Sequence, residues 1–325
     1  MTLSGFLDPK NDVAFKKIFG SEKNKDILIH FINDILELKD NKEITEVEFL
    51  SPIQEPEIAI KKQSIVDVLC KDKEGVQYII EMQVDPTLGF EKRAQYYAAK
   101  AYCRQTNRGQ EDDGKYANLK EIIFIAIADC ALFPDKENYK SDHVILDKEN
   151  YEHDLKDFYF TFIELPKFKK EKIEELENMV EKWCYFFKYA KKTTKEDLKK
   201  IIGGDLVIER AYEALDQFNW GEKELIAYEQ EKKRIWDNRA VEDYKIEQMK
   251  KKMDEKVEKM KEKIQEAEKR AEEAEEKGVE KGIEKGEKAK ALQIAKNLIS
   301  AGLETKVILV STGLSESEIE RLRED

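Results

Sequence analysis

Two neighbouring runs, SIVDVLC and VQYIIEMQV, are apolar on both of their faces and are joined by KDKEG. Strand-length segments of that kind are buried on both sides once folded, and the Gly-containing turn makes the pair a hairpin. Such a hairpin must be covered above and below, which calls for a layered α/β or α+β domain. Each run nevertheless carries an acid inside its apolar stretch: Asp67 beside Ile65, Val66 and Val68, and Glu81 beside Ile79, Ile80 and Met82. With the turn centred on Glu74, Asp67 falls opposite Glu81, and Gln83 shares the face of Glu81 through the two-residue strand period. Opposed like charges destabilise a sheet, and buried charges need a partner. A divalent cation between the carboxylates meets both needs: Mg²⁺ favours a few carboxylate oxygens plus water, and it polarises phosphate and acidifies bound water. The plainer alternative, a solvated hairpin with an acidic face, sits badly with the apolar flanks.

The neighbouring segments supply the cover. Asn11 or Asp12 caps a helix through AFKKIFG that stops near Gly20, and KDILIHFINDILEL forms a second helix with Ile27, Phe31, Ile35 and Leu38 on one face. ITEVEFLS, EIIFIAIADCALF and FYFTFIEL read as strands. Between hairpin and last strands, EKRAQYYAAKAYCRQTNRG reads as a helix of about five turns. Its Arg93, Tyr97, Lys100, Arg104 and Arg108 form one stripe, with Ala94, Ala98 and Ala101 on another. A local basic stripe beside a carboxylate site suits phosphate contacts, although an ordinary solvated face would look the same. The net charge of -12 excludes a chain coated in basic residues but not such a patch.

At this point the residues resemble a known family. NDVAFKKIFG, SIVDVLCKDKEG, YIIEMQV, EKRAQYYAAKAY with its later Gln105, YANLKEIIFIAIADCALF and FIELPKF are together similar to the Rpn group of recombination-promoting nucleases, also labelled transposases, within the PD-(D/E)XK superfamily. The resemblance spans roughly residues 6 to 245. It implies a restriction-endonuclease-like core and a Mg²⁺-dependent phosphodiesterase acting on DNA, with Mn²⁺ or Ca²⁺ as other ions. Asp67 and Glu81 match the metal-binding acids. Gln83 stands where the superfamily's usual Lys would be; it supplies no cation but can orient a water. Asp12 matches the acidic residue of the first helix, as a metal or outer contact. Arg93, Tyr97, Lys100, Arg104 and Gln105 are the candidate DNA contacts.

The remainder reads as almost wholly helical from Glu171. EKIEELENMVEKWCYFFKYA is amphipathic, and breaks fall at Gly203-Gly204 and Gly221. Ile246, Met253, Met260, Ala267 and Ala274 then recur every seven residues, with Val257, Ile264, Ala271 and Gly278 four residues after the middle ones. Charges fill the space between, as in a coiled-coil seam; charged residues make up 39% of the chain against a usual quarter. So narrow a stripe calls for a second helix, and a homodimer is the simplest source, with the chain's own C-terminal helices folded back onto the stripe as the alternative. Gly278, Gly282 and Gly286 mark either a flexible joint or close helix packing. The final segment reads as helix, turn, helix, Gly-Leu turn, helix, with Ser315 and Glu318 as a capping box. STGLSESEIERL resembles the second half of a helix-turn-helix, but its acids repel phosphate, so an oligomerisation or regulatory module is the preferred reading over a DNA reader.

The expected divisions are 1–168 for a nuclease-like domain, 169–245 for its helical extension, 246–290 for the coiled-coil and Gly-punctuated helix, and 291–325 for the small C-terminal module. Four cysteines without a CxxC pair read as reduced thiols. The N-terminus lacks a signal-peptide pattern, and no stretch nears about 18 apolar residues, so a cytoplasmic protein outside the membrane is expected. The competing functional class is a decayed nuclease fold acting as an oligomeric scaffold.

Overall fold

The structure, a computed structural model, describes residues 5–54, 64–105, 116–203 and 205–324. The chain divides into two compact units, Met1–Asp237 and Asn238–Asp325.

The first unit is built on a six-stranded sheet. Its strands are β1 (Val47–Phe49), β4 (Val68–Asp72), β5 (Gln77–Gln83), β6 (Ile122–Ala128), β7 (Lys140–Val144) and β8 (Phe158–Glu164), in the order β1-β4-β5-β6-β8-β7. A separate two-stranded ribbon pairs β2 (Ile53–Gln54) with β3 (Ser64–Ile65). β4 and β5 are antiparallel with Val68 opposite Ile80 and Leu69 opposite Ile79, the register expected from a turn centred on Glu74. The turn is held by Asp72, whose carboxylate accepts from Glu74 N and Val76 N, and by Gly75 at φ 89°, a conformation costly for a side chain with a Cβ. β5, β6 and β8 run parallel. The parallel crossover from β5 to β6 is made by the helix α3 (Phe90–Cys103).

The alternation of side chains divides the sheet into two apolar faces, as the doubly apolar strands require. Cys70, Tyr78, Ile80, Ile125, Ile127 and Ile163 join a core with the helices α1 (Asp12–Phe19), α2 (Lys25–Ile35), α4 (Met179–Tyr189) and α6 (Leu206–Leu215). Phe15, Phe19, Phe31, Trp183, Phe187 and Tyr212 fill it. Leu69, Ile79, Phe124, Ala126 and Phe162 face the other way and pack on Phe90, Ala94, Ala98 and Ala101 of α3. The three alanines let that helix lie close to the strands.

Several expectations need correction. The helix expected from Glu171 begins only at Met179; Ile173–Glu175 is a 3-10 turn. Glu171, Glu174 and Glu177 at three-residue spacing repel along a helix, and Asn178 caps the helix by accepting from Glu181 N. β7 was not foreseen, because it is a half-exposed, polar edge strand. SIVDVLC is not one strand: a bend at Asp67 separates β3 from β4. α3 ends at Cys103, short of five turns, and Arg108 lies outside the described residues. The helix α5 (Lys195–Ile202) ends at Gly203, where a break was expected, and precedes α6.

The last long element, α7 (Glu222–Ser300), runs unbroken through Gly278, Gly282 and Gly286, so no joint interrupts it, and a Cβ at any of the three would meet nothing within 4 Å. Its end packs against α8 (Thr305–Thr312) and α9 (Glu316–Glu324) through Ala295, Ile308, Leu314 and Ile319. Gly313, at φ 66°, closes α8. Glu318 reaches back to Ser315 N at 3.0 Å, one half of the expected capping box.

Candidate active site

The carboxylates meet at the C-terminal end of β5, the end of a parallel sheet at which sites usually form. Asp67 lies just outside β4, in the bend, and its backbone replaces ladder bonds with side-chain bonds. Asp67 N donates to Glu81 Oε1 at 3.1 Å, and Met82 N donates to Asp67 Oδ2 at 2.9 Å. Each carboxylate thus takes one N–H from the other's strand, and the two are held together rather than splayed. Ala126 and Ala128, the β6 neighbours of Glu81 and Gln83, set only methyl groups beside them.

Burial and charge both act on the pair. Glu81 is 6% exposed. Burial, then the charge of Asp67, push its carboxyl up to about 8, although Arg93 and Lys16 pull the other way. Burial also raises Asp67, against the Met82 hydrogen bond and Lys16. Two acids that resist joint ionisation are a strong attractor for a cation. Among the described residues no group of three or more His, Cys, Asp or Glu side chains stands together as a ready metal cage. Mg²⁺ does not need one, since it binds through one or two carboxylates and keeps several waters. The short, partly buried pair therefore fits such an ion.

The other candidates fall into distinct places. Asp12 is at the start of α1, where Lys16 Nζ bonds its Oδ1 at 2.7 Å. The same ammonium lies 3.7 Å from Asp67 Oδ1, so Asp12 reaches Asp67 through Lys16. Burial alone would lower the pKa of Lys16, but Asp12, Asp67 and Glu81 outweigh it and hold it above its ordinary value. Gln83 is 8% exposed, and its amide is fully engaged. Nε2 donates to Thr87 Oγ1 at 3.0 Å and to Asp85 O, and Oε1 accepts from Arg93 Nη2 at 2.5 Å. Arg93 in turn lies over the Phe90 ring at 4.7 Å, with its Nε buried and without a partner. Tyr97 is half-buried nearby; burial, then Glu81, raise its phenol.

Further along α3 the stripe leaves the site. Arg104 donates to Ile53 O at 3.2 Å. Gln105 clamps the Lys120 backbone by both of its amide atoms, which is a structural use. Three features escaped the sequence reading. Lys16 comes from a helix far from the hairpin in sequence; its only signal was the four-residue spacing to Asp12. Lys10 pairs with Asp129 at 2.7 Å just past β6. Glu164, on the β8 end of the same face, accepts from Leu132 N and Phe133 N and pairs with Lys167.

Compared with models of known families, residues 9–245 match one described as PD-(D/E)XK nuclease family transposase. Residues 288–324 match the Rpn/YhgA-like nuclease family, C-terminal HTH domain. No curated protein and no solved structure matches the chain. Among the described residues no helix is long and apolar enough to cross a membrane.

Proposed function

The chain belongs to the PD-(D/E)XK nuclease family transposases, and from that premise we propose that it is a cytoplasmic, divalent-metal-dependent DNA endonuclease centred on Asp67, Glu81 and Gln83. The observation that carries this reading is the Asp67–Glu81 pair: Glu81 accepts from Asp67 N, Asp67 accepts from Met82 N, and Glu81 is pushed up to about 8 by burial and by Asp67. Asp67 and Glu81 would hold Mg²⁺, with Asp12 as an outer contact through Lys16; Mn²⁺ or Ca²⁺ would suit the same oxygens. Such an ion, when bound, polarises a phosphate and generates hydroxide near neutral pH.

The chain's own side chains do the rest. Arg93 fixes the Gln83 amide and lies over the Phe90 ring. Gln83, with both donors occupied, shapes the wall of the site rather than turning freely toward a water. Lys100 and Arg104, with the Tyr97 phenol before them, extend a polar track along α3, which suits the sequence-independent contacts that dominate nucleic-acid affinity; Gln105 is the weakest candidate contact. A link to recombination, mobile elements or defence follows from the family alone.

We read the C-terminal segment as a module for assembly or regulation. α9 carries Glu316, Glu318, Glu320 and Glu324, and Glu318 is already paired with Lys288 at 2.8 Å. The exposed apolar seam of α7 supports a homodimer through the C-terminal helices. The divisions at 168, 245 and 290 are proposed as steps in function: nuclease core, helical extension, seam and C-terminal module.

A second reading, an inert nuclease fold serving as an oligomeric scaffold, is favoured by the saturated Gln83 amide. One experiment separates them. The purified full chain, incubated with supercoiled plasmid and Mg²⁺, is expected to nick or cut it, and to stop in EDTA. Asp67→Asn, which can still accept from Met82 N, is expected to lower the rate at least about a hundredfold, the loss typical of a removed transition-state contact. Equal cutting by both proteins would refute the site.

A further inference from the structure

The cation that position 83 lacks is present in the site, carried by another element. Gln83 has its two amide donors on Asp85 O and Thr87 Oγ1 and its acceptor on Arg93. Arg93 is committed to that amide and to the Phe90 ring. Lys16, on the exposed side of α1, places Nζ 2.7 Å from Asp12 and 3.7 Å from Asp67, with its side chain 40% exposed. We propose that Lys16 is a catalytic residue of this site, presenting to the scissile phosphate the positive charge that a strand lysine would otherwise supply. The proposal rests on the nuclease reading above.

An ammonium has three donors. Two carboxylates engage this one, so a donor remains for a phosphate oxygen. Asp12 and Asp67 fix the ammonium from two sides, as a preorganised charge requires, because a charge already in place costs no reorganisation when the transition state forms. Asp12 then acts as a positioning residue for Lys16. A purely structural Lys16 would only neutralise the two acids, and its loss would appear in folding rather than in turnover.

The test measures kcat and KM on a duplex oligonucleotide with Mg²⁺, DNA affinity in EDTA, and the urea midpoint. The proteins are the full chain, Lys16→Met, Lys16→Gln and the double variant Lys16→Met with Gln83→Lys. Both single variants are expected to lose about a hundredfold in kcat, the scale of one removed charge donor, with KM and EDTA affinity within about threefold. The double variant is expected to recover at least about tenfold of that loss, because it restores a charge from the strand. Turnover within threefold of the parent, a loss confined to KM, or a loss matched by a lowered midpoint in both single variants overturns the role of Lys16. A parent that cuts no DNA refutes the nuclease reading itself, and this assignment with it.

A different observation concerns α7. Ile246, Met253, Val257, Met260 and Ile264 stand exposed along one stripe, while α8 and α9 pack on the Ala291–Leu303 stretch instead. Taking Met253 and Met260 as d and Val257 and Ile264 as a, the g positions hold Lys256, Lys263, Arg270 and Lys277. The e positions from Asp254 hold Asp254, Lys261, Glu268 and Glu275. In an antiparallel pair g faces g, and these basic residues would confront one another. In a parallel pair g faces e five residues on, which joins Lys263 to Glu268 and Arg270 to Glu275, with one repulsive contact at Lys256 and Lys261. We infer that the seam's occupant is a second copy of this chain, parallel and in register. In a Cys103→Ser background of the full chain, Met253→Cys and Met260→Cys are each expected to form a disulfide-linked dimer on oxidation. An antiparallel pair can bring at most one of those positions onto its own copy. Cross-linking at only one or neither position, or a monomer by light scattering at tens of micromolar, overturns the arrangement.

Discussion

Glu81 and Glu164 are buried carboxylates on the same face of one sheet, with only β6 between their strands, yet their surroundings differ. Glu164 accepts from Leu132 N at 2.6 Å and Phe133 N at 3.0 Å, and Lys167 Nζ sits 2.7 Å from it. Its charge is met by two backbone dipoles and an ammonium, and it holds the turn after β6. Glu81 has one backbone donor, Asp67 N, and the Asp67 carboxylate for a neighbour. The fold satisfies the first acid and leaves the second short of positive charge. An acid left short at the C-terminal end of parallel strands is poised for a cation or a substrate.

The comparison breaks most visibly in stability. Glu164→Ala strands Lys167 and two N–H groups, so it is expected to cost about 3–5 kcal/mol, the usual result of removing one member of a buried pair. Glu81→Gln keeps an acceptor for Asp67 N and removes a repulsion, and its urea midpoint is expected to stay level or rise. Equal destabilisation of the two variants would mean that Glu81 is as well satisfied as Glu164.

An effect of comparable size follows from pH. The folded state holds the proton of Glu81 more tightly than the unfolded chain does, so this group favours folding below about 4.5 and opposes it as pH rises toward about 8. In EDTA, the stability of Glu81→Gln relative to the parent is expected to grow across that window, by at most about 1.4 kcal/mol per pH unit. A difference that is flat with pH would remove the charge argument.

The smallest effect is that of the ion. Mg²⁺ or Ca²⁺ at tenfold its Kd is expected to stabilise the parent by about 1.4 kcal/mol and Asp67→Asn by much less. Glu164→Gln, if folded, should respond as the parent does. An equal response of parent and Asp67→Asn would place any bound ion elsewhere.

Much of this was legible in the residues. The period of two in VQYIIEMQV and the turn centred on Glu74 define the β4–β5 register, because one slipped residue would exchange the two faces of the sheet. Helical spacing marked α1, α2 and α3, and turn glycines marked the breaks after α5 and α8. Local rules failed where a partner from far along the chain decides the outcome. β7 lacks an apolar alternation because it has a neighbour on one edge only. The bend at Asp67 is stabilised by Glu81 and Met82, fourteen and fifteen residues away.

By itself, then, the sequence determined the β4–β5 hairpin, the helices α1, α2 and α3, and that Asp67 lies opposite Glu81, since these depend on backbone geometry over a few residues. Only the tertiary structure decided that Lys16 joins them from α1, that Arg93 and Asp85 use up the Gln83 amide, and that Glu164 is satisfied while Glu81 is not. Those outcomes depend on distances between elements separated by tens of residues, and a charge or a hydrogen bond acts only at a distance the folded chain has fixed.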